Sequence, residues 1–251
     1  MVRCRWLALG IVALVSWTLY AADPDTPQGF TVLFAGGNLK EWRLPKDGNK
    51  HWKIVDGMID YDAISPAKSE KHLWTKKSYR DFVLKLEWRF KSEKGFTHRV
   101  PYVEAGGSIK KDDKGREVYF DLQDDLHGGI LLRGKDKNVV NLSKWPVGSG
   151  QIGPTVPDRK TPPELRAACT PKEKADNPFG EWNALEITVK GERVNVKINE
   201  KEVIIDAPLP DPVKEGPIGL QHSGNLDSKK GRWREAPSLV QFRKIYLREL
   251  K

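Results

Sequence analysis

The sequence predicts an all-β protein folded as a mostly antiparallel β-sandwich of the jelly-roll type. From Phe30 onward, apolar and polar residues alternate in short runs, which is the pattern of strands with one buried face. Turn-forming residues separate the runs, as they do in β-sandwiches. Helical periodicity is almost absent, and no repeat of fixed length is visible. With 251 residues and 38% hydrophobic side chains, the chain is long enough to bury a core without disulfides.

The clearest strand is predicted over residues 82–90. Its five even-numbered residues are all apolar and share one face, while Lys85, Glu87 and Arg89 share the other. Hairpin turns are predicted at Asp56-Gly57 and from Asn199 to Lys201. Further strands are predicted at 31–34, 52–55, 58–61, 118–122, 129–133, 139–142, 185–189, 194–198, 203–206, 218–221 and 240–247.

Two stretches interrupt this alternation and are predicted to be long surface loops. Residues 92–117 are charged and contain glycine, and residues 148–180 contain six prolines. Within the second loop, Thr161, Pro162 and Glu164 form a capping pattern that predicts one short helix over 164–169. Such loops either form the walls of a binding site or are tolerated insertions.

The N-terminus has the three parts of a secretory signal peptide. Arg3 and Arg5 precede an apolar run over 7–15, and Ala21-Ala22 offers a small-residue cleavage site. The apolar run is too short to span a membrane, although an uncleaved anchor remains the alternative. We therefore predict a signal peptide at 1–22, one domain at 23–251, and export to the periplasm or the medium.

Charge and cysteine content restrict the classes of partner. The formal charge is +9, but lysine and arginine are interleaved with acids, which favours a solvated surface over a nucleic-acid site. No nucleic-acid partner is expected, and no membrane partner after signal removal. Cys4 lies in the predicted signal peptide, so the mature chain would keep only Cys169. A disulfide framework is therefore excluded. The sequence does not determine the oligomeric state.

Common catalytic motifs are missing from the sequence. It has no phosphate-binding glycine loop, no nucleophile elbow, no paired cysteines and no two histidines at helical ligand spacing. No cofactor or metal is therefore expected. A divalent metal held by His127, Glu87 or Asp121 is conceivable, but their spacing does not support it. The spaced carboxylates of ordinary glycosidases are also not evident.

The most informative segment is a predicted hairpin centred on Asp136. Six of its residues would point to one face, around a gap above Gly129 that leaves room for a ligand. The predicted cross-strand pairs are His127 with Trp145, Gly129 with Ser143, and Leu131 with Asn141. A histidine, an aromatic ring, a hydroxyl and an amide predict a sugar platform. The alternative is a half-solvated sheet face carrying a surface tryptophan.

Four other polar residues lie close to this face in the predicted fold. Arg133 has the same parity as His127 but lies about 20 Å further along the strand. Gln151 follows a glycine-rich turn that could approach a ligand. Near the end of the chain, Gln221 shares the ligand face with Gly219, whereas His222 has the parity of the core residues and is the weaker candidate.

Several segments together resemble the 3-keto-disaccharide hydrolase family, over nearly the whole chain and in order. The segments that carry this resemblance are Gly29 to Phe34, Asn38-Leu39 with Trp42, Trp52 to Gly57, Asp81 to Arg89, Gly128 to Arg133, Gly180 to Asn183, Gly216 to Gln221, and Phe242 to Ile245.

The resemblance implies a concanavalin-like jelly roll, frequent export, and cleavage of glycosides whose sugar has been oxidised at C3, by hydrolases or lyases. The ketone acidifies the C2 proton, so a base can start an elimination without ordinary glycosidase carboxylates. The catalytic candidates are then His127 as the base, Arg133 near a carbonyl or leaving group, and Gln151. The candidates for substrate binding are Glu87, Asn141, Ser143, Trp145, Gln221 and His222.

Two departures from the family keep a second function open. Many relatives have an acid at the position of Gln151 and a histidine at the position of Ser223. A non-catalytic, lectin-like sandwich that binds a carbohydrate is therefore the main alternative, followed by an exported scaffolding protein.

Overall fold

The computed structural model describes residues 25–45, 51–61, 72–91, 97–123, 127–153, 161–221, 225–227, 232–235 and 239–251. The predicted signal peptide at 1–22 lies outside this part of the chain, as do His222 and Ser223. The elements are β1 (Thr31–Phe34), β2 (Trp42–Arg43), β3 (Trp52–Val55), β4 (Met58–Tyr61), β5 (Leu73–Tyr79), β6 (Phe82–Phe90), β7 (Thr97–Pro101), β8 (Tyr119–Gln123), β9 (His127–Leu132), β10 (Lys135–Ser143), α1 (Pro163–Cys169), β11 (Asn183–Lys190), β12 (Arg193–Ile198), β13 (Lys201–Pro208), β14 (Gly216–Leu220), β15 (Asn225–Asp227), β16 (Arg232–Glu235) and β17 (Val240–Glu249).

Two antiparallel sheets form the sandwich, which confirms the predicted fold class. The larger sheet has eight strands in the order β13-β12-β11-β6-β17-β4-β3, with β1 also paired to β17. The smaller sheet has five strands in the order β10-β9-β14-β5-β2. Two further pairs, β7–β8 and β15–β16, lie in the loop regions. Within the described residues, no helix is long and apolar enough to cross a membrane.

The core lies between the two sheets and follows from the alternation in the sequence. Strand β6 has the predicted bounds, and its even-numbered residues, such as Phe82 and Leu84, are buried in the core. The smaller sheet contributes Ile130, Leu132 and Leu220 from the opposite side. Full burial of each such side chain stabilises the fold by about 1.5–3 kcal/mol. Each of the predicted strands overlaps an observed one.

Short turns also follow the prediction. Asp56 and Gly57 both have positive φ angles, of 50° and 72°, which is the backbone of the tight turn that joins β3 to β4. Asn199 and Glu200 also have positive φ angles, of 48° and 69°, and form the tight turn that joins β12 to β13. These turns match the right-handed twist of the strands that they connect.

Strand β5 is the main element that the sequence analysis missed. Its buried residues are Leu73, Trp74 and Thr75 at the start and Tyr79 at the end, and the exposed Lys76, Lys77 and Ser78 between them conceal the alternation. The strand is nonetheless an inner member of the smaller sheet, because β14 and β2 pair with its two edges. Strands β2, β7, β15 and β16 were also missed.

The predicted helix is present as α1, but its predicted cap is not. The residue that precedes the helix is Pro162, with no side-chain hydrogen bond to the first turn, so Thr161 does not act as the cap. Cys169, at the end of α1, is partly buried, and this burial raises the pKa of its thiol to about 11.

The hairpin β9–β10 is present, but its predicted pairing is wrong by two residues. The observed partners are His127 with Ser143, Gly129 with Asn141, and Leu131 with Val139. The turn lies at Arg133 and Gly134, whose φ angles are 53° and 69°, and not at Asp136. The register then shifts between Lys135 and Val139. A shift of two residues preserves which face each side chain occupies.

Candidate functional site

The outer face of the smaller sheet, meaning the side turned away from the larger sheet, carries a polar row across four chain segments. The backbone N–H of Gln221 donates to the Gly129 carbonyl at 2.9 Å, and Gly129 pairs with Asn141. The Asn141 N–H donates in turn to the Gln151 carbonyl at 2.9 Å. Gln221, Gly129, Asn141 and Gln151 therefore lie side by side, about 4.8 Å from one segment to the next.

Two further rows flank this polar row. On one side, His127 pairs with Ser143. On the other side, Trp74, Leu131 and Val139 form a small apolar cluster that is separate from the main core. The predicted face for His127, Gly129, Asn141, Ser143 and Gln221 is thus confirmed, although the cross-strand partners differ.

Trp74 supplies the aromatic ring of this face. It pairs with Gly219, and a Cβ atom added to Gly219 would come within 2.6 Å of the Trp74 ring atoms Cε3 and Cζ3. Only glycine therefore lets the indole lie against β14. Trp74 went unrecognised in the sequence because β5 itself was missed.

His72 is a second imidazole on the outer face that the sequence analysis did not single out. Leu220 pairs with Leu73, so continuation of this register places His72 opposite Gln221. Its ring meets Trp74 edge-on at 5.6 Å, and its Nε2 lies 3.7 Å from the Asp136 carboxylate. Recognition of β5 would have revealed this position.

The gap predicted above Gly129 is filled in this structure. A Cβ atom on Gly129 would come within 2.5 Å of both Gln221 Oε1 and Val139 Cγ2. The Gln221 side chain therefore occupies the space that was expected for a ligand. Its Oε1 is buried and has no hydrogen-bond partner among the described residues. A ligand that enters here must displace this amide or donate a hydrogen bond to it.

Asn141, a predicted substrate-binding residue, uses its amide nitrogen to hold the scaffold, which leaves only its Oδ1 for a ligand. Its Nδ2 donates to the carbonyls of Gln151 at 3.0 Å and Gly153 at 2.6 Å. Both amide hydrogens are thereby used. They attach the segment around Gln151 to the edge of β10, where Val140 also pairs with Ile152. Gln151 itself is 7% exposed and lies on the outer face.

Trp145 is not the exposed sugar platform that the sequence predicted. It lies beyond the end of β10 and is 1% exposed. Val100, Val103 and Val147 cover it, and Phe120 meets its ring edge-on at 5.9 Å. Trp145 therefore belongs to a small apolar cluster beneath the β7–β8 pair. The aromatic ring on the outer face is that of Trp74.

Arg133 is a structural clamp, which contradicts its prediction as a catalytic residue. Its Nη1 donates to the carbonyls of Gly191 and Val213, each at 2.7 Å, and its Nε donates to Arg80 O at 2.8 Å. Its Nη2 lies 3.0 Å from the Asp81 carboxylate. Burial lowers the pKa of this guanidinium and Asp81 opposes the shift. Donors used in this way cannot reach a ligand at the other end of β9.

Glu87 lies on the opposite side of the sandwich, so it cannot share a ligand with His127. It belongs to the exposed side of the larger sheet, where it accepts a hydrogen bond from Arg243 Nε at 2.6 Å. It also lines a groove of about 590 Å³, together with charged residues such as Lys85 and Lys197. For the same reason, Glu87 cannot share a metal ion with His127. No group of three potential metal ligands occurs among the described residues.

Ser143 and Ser149 connect the polar row to the following loop. The Ser143 N–H donates to Ser149 Oγ at 3.0 Å, and Ser149 Oγ donates back to the Ser143 carbonyl at 3.1 Å. The Ser149 N–H donates to Asp176 Oδ2 at 2.9 Å. Ser143 thus pairs with His127 on one side and lines a cavity at the end of the sandwich on the other.

The fold and this face define a carbohydrate-active type of protein. An antiparallel β-sandwich presents imidazoles, amides and a tryptophan on one enclosed sheet face, and sugars need such a mixture because they combine apolar C–H surfaces with hydroxyl groups. The chain belongs to the family of the 3-keto-alpha-glucoside-1,2-lyase-like domain, which matches residues 29–248. This confirms the resemblance found in the sequence.

Solved structures support the fold. Two proteins of Parabacteroides distasonis ATCC 8503, each proposed to be a glycosyl hydrolase, are similar to the chain. The first is 19% identical with a TM-score of 0.53, and the match covers 89% of this chain and 85% of the other. The second is 17% identical with a TM-score of 0.51, and the match covers 89% and 95%. No curated protein matches the chain.

Proposed function

We propose that this protein is an exported enzyme that cleaves glycosides whose sugar carries a ketone at C3, and that it does so on the outer face of the smaller sheet. The observation that carries the proposal is the position of His127 beside the row of Gln221, Gly129, Asn141 and Gln151, in a chain of the 3-keto-alpha-glucoside-1,2-lyase-like family. The basic and then apolar residues at 1–22 support export.

The chemistry needs a base, because the C3 ketone acidifies the proton on C2. In the proposed first step, neutral His127 takes the C2 proton and the C–H electrons form an enolate with the ketone oxygen. When the ketone re-forms, a C1=C2 double bond appears, and the electrons of the C1–O bond leave with the departing oxygen. That oxygen takes a proton from water or from an imidazolium. Addition of water at C1, with a proton returned to C2, then gives net hydrolysis.

The remaining outer-face residues hold the substrate in this proposal. Gln221 and Gln151 lie on either side of Gly129 and Asn141, and their amides are suited to sugar hydroxyls and to the ketone oxygen. Trp74 is the aromatic ring of this face in place of Trp145, and because it is only 8% exposed, a sugar reaches it only after displacing part of what covers it. His72 is the second imidazole of this face, and its Nε2 lies 3.7 Å from the Asp136 carboxylate.

A lectin-like function is the second candidate, and the chemistry of the polar row favours it. The row consists of glutamine, glycine, asparagine and glutamine, without a carboxylate, and the amide hydrogens of Asn141 are already used by the scaffold. Such a row can bind hydroxyl groups without providing an acid. If no keto-glycoside is cleaved but sugars bind at this face, the protein is a carbohydrate binder.

The test compares a 3-keto glucoside with its unoxidised parent, using the purified protein with and without a chelator. We expect release of the leaving group from the keto substrate alone, and enone absorbance distinguishes elimination from net hydrolysis. His127→Gln should lower kcat/KM by about 100-fold or more, because it removes the base. Lys197→Gln, on the opposite sheet, is the matched control and should leave kcat/KM unchanged. Full activity of His127→Gln would exclude His127 as the base.

A further inference from the structure

A second cavity lies at the end of the sandwich, apart from the polar row. It has a volume of about 300 Å³ and lies where β6 and β10 end and β11 begins. Trp88 and Phe90 form part of its wall from the larger sheet, and Ser143 does so from the smaller sheet. The segment 174–181 contributes most of the remaining wall.

Two residues of this wall, Trp88 and Asp176, each carry a buried polar atom that lacks a partner within the described part of the chain. Trp88 is 2% exposed, and its Nε1 donor has no hydrogen-bond acceptor among the described residues. Asp176 Oδ1 is likewise buried without a donor. The other oxygen of this carboxylate accepts the Ser149 N–H at 2.9 Å, which fixes its orientation. Buried polar groups are nearly always paired in folded proteins, so each of these atoms calls for a partner.

The two unpaired atoms have complementary chemistry. The indole N–H needs an acceptor, and the carboxylate oxygen needs a donor. A hydroxyl group provides both, because it accepts through its lone pairs and donates through its hydrogen. An anion would be repelled by the Asp176 carboxylate, and an ammonium group could not accept from the Trp88 indole. A neutral, hydroxyl-bearing ligand therefore suits both atoms.

The size and the other walls of the cavity match a single sugar ring. Its volume lies at the lower end of the range for small-molecule pockets, and a water molecule occupies only about 30 Å³ of the liquid. Phe90 and Phe179 offer apolar surface for C–H groups, and Asn177 adds an amide. Lys144 lies over the Phe179 ring at 4.5 Å, so its cation borders the same wall.

We propose that this end cavity binds one pyranose unit, with sugar hydroxyl groups as the partners of Trp88 Nε1 and Asp176 Oδ1. The two atoms are closed to solvent in this structure, so binding requires a small movement of the wall formed by 174–181. The proposal does not depend on bond cleavage at the outer face. Because Ser143 lines the cavity and also pairs with His127, a sugar bound here lies next to the outer face.

The test uses ¹⁵N-labelled protein and its tryptophan indole resonances, with glucose and methyl α-glucoside as probes. We expect a sugar-dependent downfield shift of the Trp88 indole proton, together with shifts in 174–181. Tetrahydropyran, which has the ring but no hydroxyl, should not produce the indole shift. Sugar binding at the outer face would instead shift the resonances of Trp74 and His127, so the two sites are distinguished.

Two variants make the assignment specific. Trp88→Phe keeps an aromatic ring but removes the donor, and it should weaken sugar binding about two- to tenfold. Asp176→Asn can still accept from Ser149 while it presents an amide donor to the cavity, and it should also weaken binding. Trp182→Phe is the control, because Trp182 lies against Arg89 and Arg243 on the exposed side of the larger sheet.

Three outcomes would overturn the proposal. One is the absence of any sugar-dependent shift at Trp88, which would leave a cavity filled by water only. Another is a shift confined to the outer face. The third is unchanged sugar affinity in both folded variants, with fold established by the dispersion of their amide spectra. Loss of turnover has no bearing on these results, because the sugars used are not cleaved.

Discussion

At the scale of single residues, the role of a side chain depends on what covers it. Trp145 and Trp74 have the same chemistry and both are buried, but three valines and Phe120 enclose Trp145 beyond the end of β10, whereas Gly219 lets Trp74 lie along the outer face. Gly129 was predicted to leave space for a ligand. The space exists because Gly129 has no side chain, but the Gln221 side chain fills it. No property of an isolated residue reveals such a neighbour.

Gly129→Ala tests this contact. The new Cβ would come within 2.5 Å of Gln221 Oε1 and Val139 Cγ2, so we expect the free energy of unfolding to fall by about 1–3 kcal/mol. Urea unfolding of the two proteins measures the difference. Adding Gln221→Ala to the variant should restore part of the loss, because it removes one of the two obstacles. If the double variant loses as much stability as the two single variants together, the new Cβ does not clash with the Gln221 side chain.

At the scale of elements, turn chemistry decides the register of a hairpin. The sequence pattern placed the β9–β10 turn near Asp136, but Arg133 and Gly134 adopt positive φ angles and close the turn earlier. The extra residues are then absorbed between Lys135 and Val139. The cost of a positive φ at Arg133 is offset by its guanidinium, which binds the loops at Arg80, Gly191 and Val213.

Arg133→Met should therefore destabilise the whole fold. It would leave the carbonyls of Arg80, Gly191 and Val213 and the Asp81 carboxylate without their buried donor, and we expect a loss of about 3 kcal/mol in the free energy of unfolding. Arg193→Met is the matched control: the Arg193 side chain is 55% exposed and its Nη1 lies 3.9 Å from Asp206, so it should cost about 1 kcal/mol or less. Equal losses in urea unfolding would show that Arg133 is not a clamp.

At the scale of the whole molecule, the sandwich separates residues that the sequence analysis had grouped together. Glu87 and His127 belong to different sheets and lie on outward sides that face away from each other, with the core between them. Packed sheets lie about 10 Å apart, and side chains on the two outer sides add to that distance. One small ligand therefore cannot contact both residues.

Glu87→Gln should leave turnover of a keto-glycoside unchanged, because Glu87 lies on the side away from His127. It should lower the free energy of unfolding by about 1 kcal/mol, since it weakens the ion pair with Arg243 at a partly exposed position. Steady-state kinetics and urea unfolding measure the two effects. A large fall in kcat/KM with little change in KM would indicate that the active site lies in the groove of the larger sheet.

The sequence by itself determined the β-sandwich, its family, most strands and the face on which His127, Asn141 and Gln221 lie, because alternation with a period of two survives any even shift in register. Only the tertiary structure decided which of these side chains are available. Asn141 and Arg133 bind backbone carbonyls that are distant in sequence, and Trp145 is covered by a separate strand pair. It also decided that His72 and Trp74 share the site, because the lysines of β5 conceal that strand in the sequence, while pairing with β14 and β2 makes it an inner strand.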